Sequence, residues 1–198
     1  NATAFYEELG GLYGSRVLEE FGEIIRLYDF YEGKGQLWPK NGQLDYLPTV
    51  KRTNFIKKLI KAEARFLFGR TPEFSVRAIR QEDDGVAREM TLFLNRLLRN
   101  NHFGDRLVRA ARDCFIGKRV ALRLWTDEED ISIGFRPSLE FLFEPREDDA
   151  DRIKKIIFFY QLNTESSHRK QRIWKQKFEM GEGRCILDEG VYDGDGRL

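Results

Sequence analysis

Residues 110–124 read AARDCFIGKRVALRL, and within this stretch the spacing of the apolar side chains changes from that of a helix to that of a strand. Up to Ile116 the apolar residues recur at three or four positions, which is the helical period. After Gly117 every second residue is apolar, as in a half-buried strand. Helices followed by strands predict an α+β fold, with an N-terminal helical lobe over 1–116 and an antiparallel β-meander lobe over 117–198.

The part before this change predicts several helices. Apolar residues at helical spacing indicate helices over 15–31 and 54–69, and two more follow Asp83-Asp84 and begin near Gly104. The carboxylates at 83 and 84 suit the positive end of a helix dipole. Gly69 stands where a left-handed cap would end the second helix. A short strand is expected over 73–76.

The two longest apolar stripes in this part predict a shared core. One belongs to the helix over 54–69 and the other to the helix after Asp84, and we expect them to pack against each other. The residues expected in this core are Phe55, Leu59, Phe66, Leu67, Phe93, Leu94 and Leu97.

The part after Gly117 predicts short strands joined by polar connections. Alternating apolar residues occur around 120–124 and 131–135. Connections this short imply an antiparallel meander, since parallel strands need long crossovers. Further apolar runs occupy 139–143, 153–162, 173–178 and 185–187.

The charge balance argues against a long-range attraction to polyanions. Lys and Arg number 34 and Asp and Glu number 33, which gives a formal net charge of +1. Any contact with nucleic acid would therefore depend on a local patch. No apolar stretch approaches the roughly 20 residues needed to cross a bilayer, so no membrane partner is predicted.

The residues that usually carry catalysis do not form a pattern. His102 and His168 have no partner at metal-ligand spacing, so neither a metal nor a cofactor is predicted. The glycine-rich run over 9–15 lacks the Lys-Ser/Thr ending of a phosphate-binding loop. The acidic runs over 127–130 and 147–151 do not fit a calcium loop and are expected to be solvated turns. We predict no catalytic residue; an enzyme with an unrecognised site is the alternative.

Two basic clusters are the candidate sites. They suit either phosphate contacts or ion pairs within or between subunits, and the nearby Asp105 and Asp113 favour ion pairs. The first cluster is Arg96, Arg99, Arg106, Arg109 and Arg112; the second contains Arg169 and Lys170.

An ordered set of motifs resembles a known family. The motifs are LYDFYEG at 27–33, KRTNFIKKLI at 51–60, FLFGRTPEF at 66–74 and AARDCFIGK at 110–118, followed by a strand with Pro137. In this order they are similar to the opening of the portal proteins of long-tailed bacteriophages and prophages. The resemblance extends over about 24–165.

The resemblance implies a structural protein, not an enzyme. It implies the wing region of a homo-oligomeric ring, dodecameric in the full-length protein, through which viral double-stranded DNA passes. The implied partners are the terminase, capsid or scaffold proteins and head–tail connector proteins. The implied location is the portal vertex of the virion, with assembly in the host bacterial cytoplasm. We expect the chain to be a piece of a longer protein, ending before the stem, clip and crown.

The first alternative is a nucleic-acid-binding module that uses the Arg-rich helices. A domain that binds phosphates loses affinity steeply as salt rises, so salt dependence separates this alternative from the structural ring subunit.

Overall fold

The structure is a computed structural model that describes residues 15–34, 53–127, 130–162, 172–181 and 183–193. Within these residues four α-helices precede six β-strands, so the predicted α+β class is confirmed. The helices are α1 Ser15–Glu32, α2 Phe55–Phe68, α3 Asp84–Asn100 and α4 Phe103–Gly117, with a 3-10 turn Gln81–Asp83 before α3. The strands are β1 Val120–Asp127, β2 Asp130–Pro137, β3 Phe141–Pro145, β4 Ile153–Leu162, β5 Arg172–Gly181 and β6 Arg184–Asp193.

The described residues form two compact units. One comprises 25–136, which holds the end of α1, the helices α2 to α4 and the β1–β2 hairpin. The other comprises 15–24 and the described residues from 137 onward, which hold the start of α1 and the four-stranded sheet. The helix-to-strand change at Gly117 lies inside the first unit. The assignment of 1–116 and 117–198 as two parts of one wing-like domain stays a prediction.

A single asparagine joins the end of α1 to the start of α2. Gly33 has a φ of 77°, a left-handed conformation that ends α1 at little steric cost. The side-chain oxygen of Asn54 accepts a 2.9 Å hydrogen bond from the Lys57 backbone N–H and so caps α2. The Asn54 amide nitrogen donates to the Tyr31 carbonyl at 2.6 Å. The motifs at 27–33 and 51–60 therefore meet in space.

The predicted left-handed cap at Gly69 is wrong. Gly69 has φ −64° and ψ −23°, which continue the right-handed conformation of α2. A Cβ at this position would collide with the carbonyl oxygen of Arg65. Glycine is therefore favoured here because the backbone passes close to the Arg65 carbonyl, and not because the residue adopts a left-handed conformation.

The predicted strand over 73–76 is also wrong, because side chains of α3 bond its backbone instead of a neighbouring strand. The Val76 N–H donates to the Thr91 hydroxyl oxygen at 2.9 Å. The Phe74 carbonyl accepts from the Asn95 amide at 3.3 Å. These hydrogen bonds satisfy backbone groups that would otherwise pair with a neighbouring β-strand.

The predicted core between α2 and α3 is wrong as well. Phe66 is 95% exposed and Phe55 is 74% exposed, while Leu94 and Leu97 are half-buried. Both helices pack instead on α4. The buried side chains of the three helices include small ones, such as Ala64 of α2 and Ala110 of α4. Small side chains let helix backbones approach closely. The helices therefore pack through the side that carries these alanines, and the large apolar side chains lie on another side.

Asn101, in the turn between α3 and α4, holds the β1–β2 hairpin to the helices. It is 7% exposed. Its amide nitrogen donates to the carbonyls of Leu97 at 3.0 Å and Ile131 at 2.8 Å, and its oxygen accepts from the Ile133 N–H at 2.7 Å. The next residue, His102, has a φ of 48° and turns the chain into α4. One side chain thus fixes the position of β2.

The second unit contains the predicted antiparallel meander, which is confirmed by the strand order β3-β4-β5-β6. Side chains alternate between the faces of the sheet, and one face packs on Phe21 of α1, which is fully buried. The buried sheet residues of this cluster are Leu142, Ile157, Phe159 and Ile173.

Candidate functional site

The predicted arginines of the first cluster lie on α3 and α4 with different environments. Arg106 is half-buried, and its guanidinium donates to the Ile133 carbonyl of β2, next to the Asn101 contact. The guanidinium of Arg96 lies 5.8 Å from the centre of the Phe93 ring, at cation–π distance. Arg106 therefore contributes to the packing of the hairpin, whereas Arg96 remains on the surface.

The other members of this cluster extend the basic surface. Arg99 and Arg109 are exposed and Arg112 is half-buried. Within the described part of the chain, the five arginines of the first cluster form no ion pair with a carboxylate, including Asp105 and Asp113. Their assignment to subunit or phosphate contacts stays a prediction. Arg169 and Lys170 lie outside the described residues.

A groove of about 1010 Å³ lies beside these arginines, between the 70–75 segment and the helices α3 and α4. Its walls carry Arg99 and His102 but also Asp105. At one side Arg70 is paired with Glu73 at 3.1 Å. The mixed signs give the groove no net preference for an anion.

The carboxylates with shifted pKa values are in surface ion pairs. A hydrogen bond from Lys57 lowers the pKa of Glu32, and one from Lys155 lowers the pKa of Glu144. These shifts favour the ionised form. The lowered pKa values of these carboxylates result from ion pairs, whereas a general acid needs a raised pKa.

The acidic run over 147–151 is a turn closed by ion pairs. Both carboxylate oxygens of Asp148 accept from the Arg146 guanidinium at 2.9 Å, which lowers the pKa of Asp148. Asp149 pairs with Arg152 at 3.2 Å. Residues 128 and 129 of the other acidic run lie outside the described residues. In the portion of the chain that the structure describes, no group of three or more His, Cys, Asp or Glu could hold a metal ion.

Two apolar surfaces are exposed, and they include Phe55, Leu59, Phe66 and Phe93 of the predicted core. The outer stripe of α2 and the outer stripe of α3 lie in the same compact unit. Their positions recur at helical spacing, so the signal was present, but the pattern did not say which neighbour covers them. The outer stripe of α2 consists of Phe55, Leu59 and Phe66, and that of α3 consists of Val86, Met90 and Phe93.

A polar contact within the sheet also escaped sequence analysis. Glu189 of β6 accepts hydrogen bonds from the Trp174 indole and the Gln176 amide of β5, both at 2.8 Å. Gln176 is 5% exposed, and Glu189 lies directly opposite it in the register. The sequence pattern does not single out Glu189, because the same strand also contains Arg184, Asp188 and Asp193.

The comparison with known families identifies the chain. A family model described as "Phage portal protein, SPP1 Gp6-like" matches residues 15–179. The chain belongs to this family. The predicted resemblance is therefore confirmed, and the match includes the helices, the β1–β2 hairpin and most of the four-stranded sheet. No curated protein matches the chain.

Family membership assigns a class to this portal protein. It is a virion structural protein of phage DNA packaging. The family implies an oligomeric ring that associates with the capsid and the terminase, at the portal vertex of the virion. Across the described part of this portal protein, no helix has the length and apolar character that crossing a membrane requires.

Proposed function

We propose that this portal protein is a structural, non-catalytic subunit of the head–tail connector ring through which phage DNA is packaged and ejected, and that the chain forms part of its wing. The family match over 15–179 carries this proposal. The outer stripes of α2 and α3 support it, because soluble monomers rarely leave such apolar surfaces uncovered.

The proposed partners follow from this role. Further copies of the protein complete a dodecameric ring, and the terminase, capsid or scaffold proteins and head–tail connector proteins bind to it. Assembly takes place in the host bacterial cytoplasm. DNA passes through the ring without being modified by it.

Electron microscopy of the protein as its gene encodes it tests the proposal. We expect closed rings of uniform size with a central channel, and mass photometry of the same sample gives the number of subunits. Monomers alone at micromolar concentration and physiological salt would contradict the proposal.

The first-cluster arginines are assigned to contacts with neighbouring subunits or within the subunit. Arg106, which bonds the Ile133 carbonyl, supports this assignment. The second candidate function is nucleic-acid binding, and the exposure of Arg99 and Arg109 without ion pairs among the described residues favours it. Each phosphate contact would add about −0.9 to the slope of log affinity against log salt on duplex DNA.

A variant with all five arginines changed to Gln separates the two functions in the full-length protein. If the arginines serve subunit contacts, ring formation weakens. If the rings form normally but DNA packaging stops, the nucleic-acid function is correct and the subunit assignment is wrong.

A further inference from the structure

The four-stranded sheet has one protected edge and one open edge. At the protected edge, β3 is only five residues long, and its register with β4 shifts between Glu144 and Pro145. Short strands, prolines and bulges are features by which proteins keep further strands from pairing with a sheet edge. At the other edge, β6 pairs with β5 through all ten of its residues and contains neither Pro nor Lys. Among the described residues no second strand pairs with β6, so its outer side presents a row of backbone N–H and C=O groups.

The β1–β2 hairpin also has one protected edge and one open edge. Asn101 bonds the Ile131 carbonyl and the Ile133 N–H of β2. Arg106 donates to the carbonyl of Ile133. These groups would otherwise be available to a further strand. By contrast, β1 contains neither Pro nor Lys, and β2 is its only strand neighbour in the described part of the chain. Each sheet thus leaves one open strand, β1 in the hairpin and β6 in the four-stranded sheet.

Apolar side chains of both open strands are uncovered. On β6, Ile186 and Leu187 point to opposite faces of the sheet and are 58% and 54% exposed. On β1, Leu122 and Leu124 are 49% and 57% exposed. Side chains directly opposite each other on paired strands lie about 4.5–5.5 Å apart, so a further strand would cover these residues.

The centres of the two open strands carry opposite charges. Arg123 lies within β1, with its guanidinium 4.9 Å from the centre of the Trp125 ring. Asp188 and Glu189 are adjacent on β6, and both are exposed. Full antiparallel overlap of two β6 strands would place Asp188 of each copy opposite Glu189 of the other, so like charges disfavour self-pairing. A strand with a cation near its centre fits β6 better.

One antiparallel register matches the two open strands side chain by side chain. With Arg123 opposite Asp188, apolar residues of β1 also face apolar residues of β6. The apolar pairs are Val120 with Val191, Leu124 with Leu187 and Trp125 with Ile186.

The same register places Leu122 opposite Glu189. The carboxylate of Glu189 accepts hydrogen bonds from Trp174 and Gln176 of β5, so it is turned toward β5 and away from the open edge. Its charge is therefore not directed at the leucine of the added strand.

We propose that β1 of one subunit pairs antiparallel with β6 of a second copy of this chain. This inference rests on the proposed ring and names the strands that join neighbouring subunits. Because β1 and β6 differ, the contact is head to tail, and each subunit offers one open strand to each neighbour. Such a contact closes into a ring when the rotation between subunits allows it. In the closed ring every open edge is paired.

Disulfide trapping tests the register in the full-length protein. Cys114 and Cys185 are first replaced by Ser, and Leu124→Cys is then combined with Leu187→Cys. Residues directly opposite each other in an antiparallel pair have Cα atoms about 4.5–5.5 Å apart, a separation that a disulfide spans. Mild oxidation of the rings should give a ladder of covalent oligomers on non-reducing gels. The control combines Leu124→Cys with Val191→Cys, which the register places about 13 Å apart along the strands, and it should stay monomeric on the gel.

Single charges at the same pair test its contribution to assembly. Leu124→Lys and Leu187→Glu each place one charge between the strands, and both positions are more than half exposed in the subunit, so the fold should persist. We expect the concentration needed for half-maximal ring formation to rise at least about tenfold for each, because the added charge loses its hydration when the strands pair. Combined in one chain, the two substitutions face each other as an ion pair at every contact. Ring formation should then return toward that of the wild-type protein, which also shows that the variants fold.

The matched control is Phe143→Lys. Phe143 is 44% exposed and lies on β3, the protected edge of the sheet. The net charge changes as much as in Leu124→Lys, so a general effect of charge would appear equally in both variants. We expect the control to form rings at the same concentration as the wild-type protein.

The outcomes separate this inference from the proposed function. Wild-type protein that never forms rings would refute the proposed function itself. Rings that form normally in both single-charge variants, without a ladder from the 124–187 pair, would refute the strand pairing while the ring remains. A ladder from the 124–191 control alone would overturn the register, and a disulfide within one subunit would assign the pairing to a single chain. Loss of rings in both single-charge variants without restoration in the double variant would also refute the pairing.

Discussion

Substitution of Asn101 tests how the β1–β2 hairpin is held to the helices. In Asn101→Ala the N–H of Ile133 and the carbonyl of Ile131 lose their side-chain partner, while the Leu97 carbonyl keeps a 3.1 Å bond from the backbone N–H of residue 101. A buried polar group without a partner costs about 1–3 kcal/mol. Two such groups, both at partly or fully buried positions, predict a loss of about 2–4 kcal/mol in the free energy of unfolding.

Urea unfolding measures this loss. We expect a lower midpoint with an unchanged slope, since the surface exposed on unfolding stays the same. Asn95→Ala is the matched control, because Asn95 lies on α3 shortly before Asn101 and makes one exposed hydrogen bond to the Phe74 carbonyl. The control should change stability by less than about 0.5 kcal/mol.

A second substitution distinguishes hydrogen bonding from packing. Asn101→Asp keeps the acceptor for the Ile133 N–H but, when ionised, turns a carboxylate oxygen toward the carbonyls of Leu97 and Ile131. Protonation restores a donor, so this variant should regain stability relative to wild type as the pH falls. An Asn101→Ala variant as stable as wild type, within about 0.5 kcal/mol, would refute the argument.

Three further predictions concern single residues. Phe21→Ala should lower the free energy of unfolding by about 3–5 kcal/mol in calorimetry, because the ring is fully buried against the sheet. Phe66→Ser should change the stability of the isolated subunit by less than about 0.5 kcal/mol in urea unfolding, because the ring is 95% exposed, yet it should weaken ring formation in mass photometry. Hydrogen bonding by Lys57 lowers the pKa of Glu32 below its ordinary value of 4.5. The stabilisation by this pair is therefore present above about that pH and is lost as the pH falls through the lowered value, so urea midpoints of wild type and Glu32→Gln should converge in acid.

The fold class was predictable because its signals are local. The change from helical to alternating spacing at Gly117 depends only on neighbouring residues, and the structure ends α4 at that residue. The antiparallel order of β3 to β6 follows from short connections for the same reason. The family was recognisable from ordered motifs whose packing role Asn54 illustrates, since this residue joins two of them.

The tertiary partners were not predictable from the same patterns. A stripe of apolar residues shows which side of a helix is apolar, but Phe66 and Ala64 lie on opposite sides of α2 and both are apolar. The prediction placed the larger side chain, Phe66, in the core, whereas the smaller one, Ala64, is the one that is buried. The bond from Arg106 to the Ile133 carbonyl likewise depends on where the hairpin folds back, which no spacing reveals. Candidate-site predictions therefore identified the residue types but not their partners.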